Sequence, residues 1–125
     1  MITGIGTDIV NIARIEQVLA RQGDKFAERI LHPDELLSYR DHNQPARFLS
    51  KRFAVKEAAS KALGTGIGQG VSWRDIVLEH DALGAPLLAL EGAALVRANA
   101  MGAQHFYVTL ADEVDSVVAF VVMTK

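Results

Sequence analysis

Phe53-Ala54-Val55-Lys56-Glu57-Ala58-Ala59-Ser60-Lys61-Ala62-Leu63, followed at once by Gly64-Thr65-Gly66-Ile67-Gly68, is the stretch around which the rest of the chain is organised. It completes the longest uninterrupted helical pattern in the sequence, predicted over Arg47 to Leu63 and stopped by Gly64. At about 3.6 residues per turn, Phe48, Val55, Ala59 and Leu63 line one stripe, while Ser50, Ala54, Glu57 and Lys61 fall on a different side. Glu57 and Lys61 therefore stand one turn apart on a common face.

Upstream, Ile2 to Val10 alternates with glycines and ends in Asp8-Ile9-Val10, a short strand running straight into a helix. That helix starts at Asn11, carries Ile12, Ile15 and Leu19 at helical spacing, and stops at Gly23. Asp24 caps a further segment holding Phe26 and Ile30. His32-Pro33-Asp34-Glu35 begins another helix, with proline in the first turn and acids at the positive end of the dipole. Asp41 to Pro45 breaks the pattern. Downstream of Gly70, residues Val71 to Leu78 favour strand, Asp81 to Pro86 reads as a turn, and Leu87 to Leu90 closes a hairpin. A helix from about Gly92 to Met101 precedes two last strands, His105 to Leu110 and Ser116 to Met123, joined by a turn over Asp112 to Asp115. Helices lead and antiparallel strands follow, so the fold class is α+β, with residues 1–125 forming a single domain.

The composition narrows the function. Half the residues are apolar, enough for one core but not two. The chain has no cysteine, hence no disulfide framework and no thiolate metal site, and cytoplasmic location is expected. No basic leader precedes an apolar stretch, and no window reaches the roughly 20 apolar residues of a membrane span. A net charge of -2 argues against a general nucleic-acid binder. His32, His42, His80 and His105 lack zinc-ligand spacing, and Trp73 and Phe120 read as core residues before adenine stackers.

Two carboxylates attract attention. Taken alone, Glu57 and Lys61 form an everyday i,i+4 pair worth about 0.3–0.5 kcal/mol. The small Ala54 beside Glu57 and the glycine-rich loop after it suggest room for a ligand. That loop is not a nucleotide P-loop, whose lysine follows the glycines. Gly64 reads as a helix cap, whereas Gly66, Gly68 and Gly70 together suggest close approach of backbone to something bulky. Asp8 has an ordinary reading as a helix cap, and nothing in the local sequence joins it to Glu57.

The block Gly4-Ile5-Gly6-Thr7-Asp8-Ile9, together with Arg52 through Ile67, closely resembles the two signature blocks of holo-acyl-carrier-protein synthases, small members of the 4'-phosphopantetheinyl transferase superfamily. The likeness covers nearly the whole chain, including Phe26 to Leu31, the Gly84-Ala85-Pro86 turn and the final strands. It implies an α+β subunit that assembles as a homotrimer with active sites shared between neighbours, and an enzyme moving the phosphopantetheine arm of coenzyme A onto a serine of acyl carrier protein in fatty acid biosynthesis. By that likeness Asp8 and Glu57 would hold Mg²⁺ with the coenzyme A pyrophosphate, since this ion needs only one or two protein carboxylates. Lys61 would steady the phosphates, and Lys61, Gly64, Thr65, Gly66, Gly84 and Pro86 would bind coenzyme A. Glu57, a metal-bound water or Glu35 could take the serine proton. Arg14, Arg21, Lys25 and Arg29 would form a basic stripe for the acidic helix of the carrier. Tyr107 and Ala85 stand where many relatives have histidine and lysine, which bears on contacts to the nucleotide end.

Overall fold

The computed structural model describes residues 1–125. In chain order the elements are β1 (Ile2–Asn11), α1 (Ile12–Gln22), α2 (Asp24–Ile30), α3 (Pro33–Arg40) and α4 (Pro45–Ala62). After a short 3₁₀ turn at Trp73–Asp75 come β2 (Ile76–His80), β3 (Pro86–Leu90), α5 (Gly92–Ala100), β4 (His105–Asp112) and β5 (Ser116–Thr124). The class is α+β, as the sequence pattern predicts. Strands β1, β5 and β4 form one antiparallel sheet in that order, and β2 and β3 form a separate hairpin.

Some boundaries shift for identifiable reasons. Pro45 does not break the pattern ahead of α4; it occupies the first helical turn, where its missing N–H costs nothing. The strand predicted from Val71 begins only at Ile76, because Ser72 and Asp75 form a reciprocal capping box that turns Trp73–Asp75 into 3₁₀. The hairpin turn is fixed by the Asp81 carboxylate, which accepts from the Leu83 and Ala85 amides, both at 2.9 Å.

Helix α4 is the keel. Strand β5 alternates strictly, sending Val117, Ala119, Val121 and Met123 inward to fully buried positions. On β1 the same period of two puts Gly4, Gly6, Asp8 and Val10 on the face toward α4. The two glycines let strand backbone lie directly on helix backbone: a Cβ added at Gly4 would sit 2.1 Å from the Ala62 carbonyl oxygen, and one at Gly6 would sit 2.0 Å from that of Ala58. The two-faced helix expected from the sequence is therefore buried nearly all round, with Ser50, Ala54, Lys56 and Ser60 as inaccessible as Val55 and Ala59. Ala54 opens no space beside Glu57, since it is itself sealed in the core.

The buried cation is partnered. Lys56 Nζ donates to Glu35 Oε1 at 2.7 Å, to the Trp73 carbonyl at 3.0 Å and to the Ile76 carbonyl. Glu35 also accepts from the His32 amide at 2.9 Å and the Leu78 amide at 3.1 Å, so one ion pair ties α3, α4, the 3₁₀ turn and β2 together. Burial pushes the Lys56 ammonium below the usual lysine range and the Glu35 charge opposes that; three acceptors around one nitrogen require the three donors of the charged form.

Candidate active site

Asp8 follows Gly4 and Gly6 on the inward face of β1, so the close strand–helix approach carries it to the C-terminal part of α4. There Lys61 Nζ donates to Asp8 Oδ1 at 3.1 Å and to the Thr7 carbonyl at 3.0 Å. The cap of α1 is Asn11, whose side chain accepts from the Ala13 amide at 2.9 Å, so Asp8 is no helix cap. Glu57 and Lys61 do not pair with each other either. Lys61 turns to Asp8, and Glu57 Oε1 accepts from the Trp73 indole N–H at 2.8 Å.

Asp8 and Glu57, remote in sequence, line one cleft of about 410 Å³ together with Arg14, Phe26 and Phe53. The Asp8 side chain is 17% exposed and that of Lys61 51%, a carboxylate held in the cleft wall beside a half-exposed cation. Among the basic residues proposed for the carrier, Arg14 alone lines this cleft. Arg21, Lys25 and Arg29 are exposed along α1 and α2, with Arg29 touching Gln22 at 3.4 Å.

The remaining sequence-predicted residues lie elsewhere on the chain. Gly64 and Thr65 line a second cleft of about 480 Å³ with Gln69 and Arg97, whose Nε donates to the Leu63 carbonyl at 2.9 Å. Gly66, Gly68 and Gly70 all have positive φ, and at Gly66 and Gly68 an added Cβ would meet nothing within 4 Å. Within this chain the positive φ alone accounts for these glycines. Gly84, at φ +87, and Pro86 flank the β2–β3 turn and join neither cleft. A third cleft of about 510 Å³, lined by Arg47, Lys51, Arg52 and His80 among others, contains none of the predicted site residues.

Glu35 is corrected as a proton acceptor: it is 3% exposed and wholly engaged by Lys56 and two amides. Trp73 is half-buried against Phe53, with ring centroids 6.2 Å apart, so the core reading holds for its ring, whereas Phe120 is exposed and is no core residue of this chain. The Trp73 N–H contact to Glu57 escaped the sequence reading.

No cluster of three or more acidic, histidine or cysteine side chains is present that could cage a metal. Two carboxylates on one cleft, each with one oxygen tied to a nitrogen donor and the other without a protein hydrogen bond, suit Mg²⁺, which completes its shell with water and phosphate oxygens.

A chain with this strand–helix apposition and two-carboxylate cleft falls into a defined class. It belongs to the 4'-phosphopantetheinyl transferase superfamily, whose family model matches residues 4–121. More narrowly, it is 55% identical over 122 residues to the holo-acyl-carrier-protein synthase of Photobacterium profundum, covering 98% of this chain and 97% of that protein. The crystal structure of the holo-acyl-carrier-protein synthase of Neisseria meningitidis superposes with a TM-score of 0.92 at 47% identity, covering all of both chains. That of the Helicobacter pylori synthase in complex with coenzyme A gives 0.83 at 35% identity, covering 96% of this chain and 99% of the other. No helix here is long and apolar enough to cross a membrane.

Proposed function

We infer that this chain transfers the 4'-phosphopantetheine group of coenzyme A to a serine of apo-acyl carrier protein, giving holo-acyl carrier protein and adenosine 3',5'-bisphosphate. The observation that carries this reading is the sharing of one cleft by Asp8 and Glu57 with Lys61 at 3.1 Å from Asp8. In the reaction the serine Oγ attacks the β-phosphorus of coenzyme A. The new O–P bond forms as the bridging bond to the adenosine bisphosphate breaks, and the serine proton passes to water or to a carboxylate within hydrogen-bond reach. Asp8 and Glu57 would hold Mg²⁺, which when bound offsets the charge of the diphosphate. The Lys61 ammonium, on a flexible stem at the rim, can leave Asp8 for the phosphates and stabilise the charge gathering on the leaving bisphosphate. Glu57 remains a candidate proton acceptor beside such a water. No nucleophile of the chain itself is needed, in keeping with the absence of cysteine.

Several finer parts of the reading follow. The outward face of the β1-β5-β4 sheet carries Ile5, Ile9, Val118, Phe120 and Tyr107, all exposed. An apolar face of this kind suits burial against further copies of the chain, and a homotrimer with sites between neighbours is proposed. That arrangement would let coenzyme A reach Gly64, Thr65, Gly66, Gly84 and Pro86, none of which lines the Asp8 cleft of one chain. The exposed Arg21, Lys25 and Arg29, with Arg14, supply a positive approach for an acidic carrier helix. Cytoplasmic fatty acid biosynthesis is the proposed setting.

The test is intact-mass spectrometry of apo-acyl carrier protein incubated with this protein, coenzyme A and Mg²⁺. A phosphopantetheine mass gain is expected with the wild-type chain and none with Asp8→Asn or Glu57→Gln, while both variants stay folded. Unimpaired transfer by either variant, or no transfer by the wild type, refutes the assignment.

A further inference from the structure

Lys56 and Glu57 are consecutive residues that grip the same partner at two points. Lys56 Nζ holds the Trp73 carbonyl at 3.0 Å, and Glu57 Oε1 receives the Trp73 indole N–H at 2.8 Å. The first contact is anchored in turn by the buried Glu35 carboxylate, and the indole ring is braced by Phe53. A glutamate on a helix surface samples several rotamers, and ordering it for a ligand costs conformational entropy. Here that cost is met when the chain folds. We propose that Trp73 is a positioning residue for Glu57, presetting the carboxylate for a divalent cation in the Asp8 cleft. This rests on the proposed transferase reading of that cleft.

The indole fits the task chemically. It donates and cannot accept, so it neither competes for a cation nor brings a charge that repels one. It occupies Oε1 alone, and Oε2 has no hydrogen bond from the protein. The bland alternative is a half-buried tryptophan satisfying its N–H with the nearest acceptor, a matter of stability only. The two accounts diverge in Trp73→Phe, which keeps a ring against Phe53 and deletes the donor.

The experiment compares wild type, Trp73→Phe and Glu57→Gln by titrating Mn²⁺ against each and counting free ion by electron paramagnetic resonance, with thermal melts alongside. Outer-shell partners of metal ligands are typically worth 10–100-fold in affinity. Trp73→Phe is expected to weaken Mn²⁺ about ten-fold with a melting midpoint close to wild type, and Glu57→Gln to lose binding. Trp73→Phe binding Mn²⁺ like wild type, with Glu57→Gln impaired, overturns the positioning role and leaves the transferase reading standing. Glu57→Gln binding like wild type overturns that reading and this inference with it. Trp73 is also the only tryptophan in the chain, so its emission reports the contact in the unaltered protein. Mg²⁺ should change that emission in wild type and not in Glu57→Gln, and a wild-type emission indifferent to saturating Mg²⁺ counts against the proposal.

Discussion

Replacing Gly6 by alanine tests the idea that strand–helix contact places Asp8. Gly6 has no positive φ, so its backbone accepts alanine and the whole effect must come from the added methyl. That carbon would lie 2.0 Å from the Ala58 carbonyl oxygen and 2.8 Å from the Ala62 nitrogen, both helix backbone that cannot rotate aside. Relief requires β1 to retreat from α4 by about 1 Å or more, which belongs at the upper end of overpacking penalties, about 3 kcal/mol. Alanine returns roughly 0.4–1 kcal/mol by stiffening the unfolded chain. The net loss is about 2 kcal/mol, or about 8 °C in melting midpoint for a chain of this length. The retreat also carries Asp8, two residues on, away from Lys61, so Mn²⁺ affinity and transfer should fall together. Gly102→Ala is the control: its φ of +77 makes alanine strained by roughly 1–2 kcal/mol, yet nothing lies within 4 Å. It should lose stability and keep transfer. A Gly6→Ala protein melting within about 2 °C of wild type with full transfer would refute the reasoning.

Lys56→Met keeps the volume but strips the Glu35 carboxylate of its closest cation, leaving Arg52 at 3.6 Å; urea unfolding should register a loss of about 3 kcal/mol or more, and a loss under about 1 kcal/mol would mark the pair as dispensable. His80 is pushed below the ordinary histidine value of 6.5, first by partial burial and then by Arg52 and Lys51, with Asp81 opposing. Its depressed value means the unfolded chain takes up the proton first, so this residue's contribution to stability is present above about pH 6.5 and is lost as pH falls. Nuclear magnetic resonance titration of its ring should give a midpoint below 6.5 that rises in Lys51→Ala, and a midpoint at or above 6.5 contradicts the arrangement.

The parts of the fold governed by local rules were legible. The β5 alternation, the Asp81 turn and the glycine after α4 each state their structure within a few residues. The approach of β1 to α4 was not, because a glycine in a strand permits close contact without naming the partner. For the same reason Asp8 could be joined to Glu57 only through resemblance. The burial of Lys56 was hidden because its partner, Glu35, belongs to another helix, and a lysine among alanines reads equally well as surface. Trp73 was read correctly as packing and incompletely as chemistry: one side chain offers an apolar ring and a polar edge, and only the fold decides where the edge points.

Because α4 is enclosed on nearly every side, its tolerance for insertion or deletion must differ sharply from that of its flanks. Each residue added or removed between Pro45 and Glu57 would turn everything beyond it by about 100°, taking the carboxylate off the cleft and bringing Lys56 or Ala58 into its place. Insertions should instead be tolerated in the turns, above all in the exposed stretch from Asp41 to Gln44 and the one at Glu113 to Asp115.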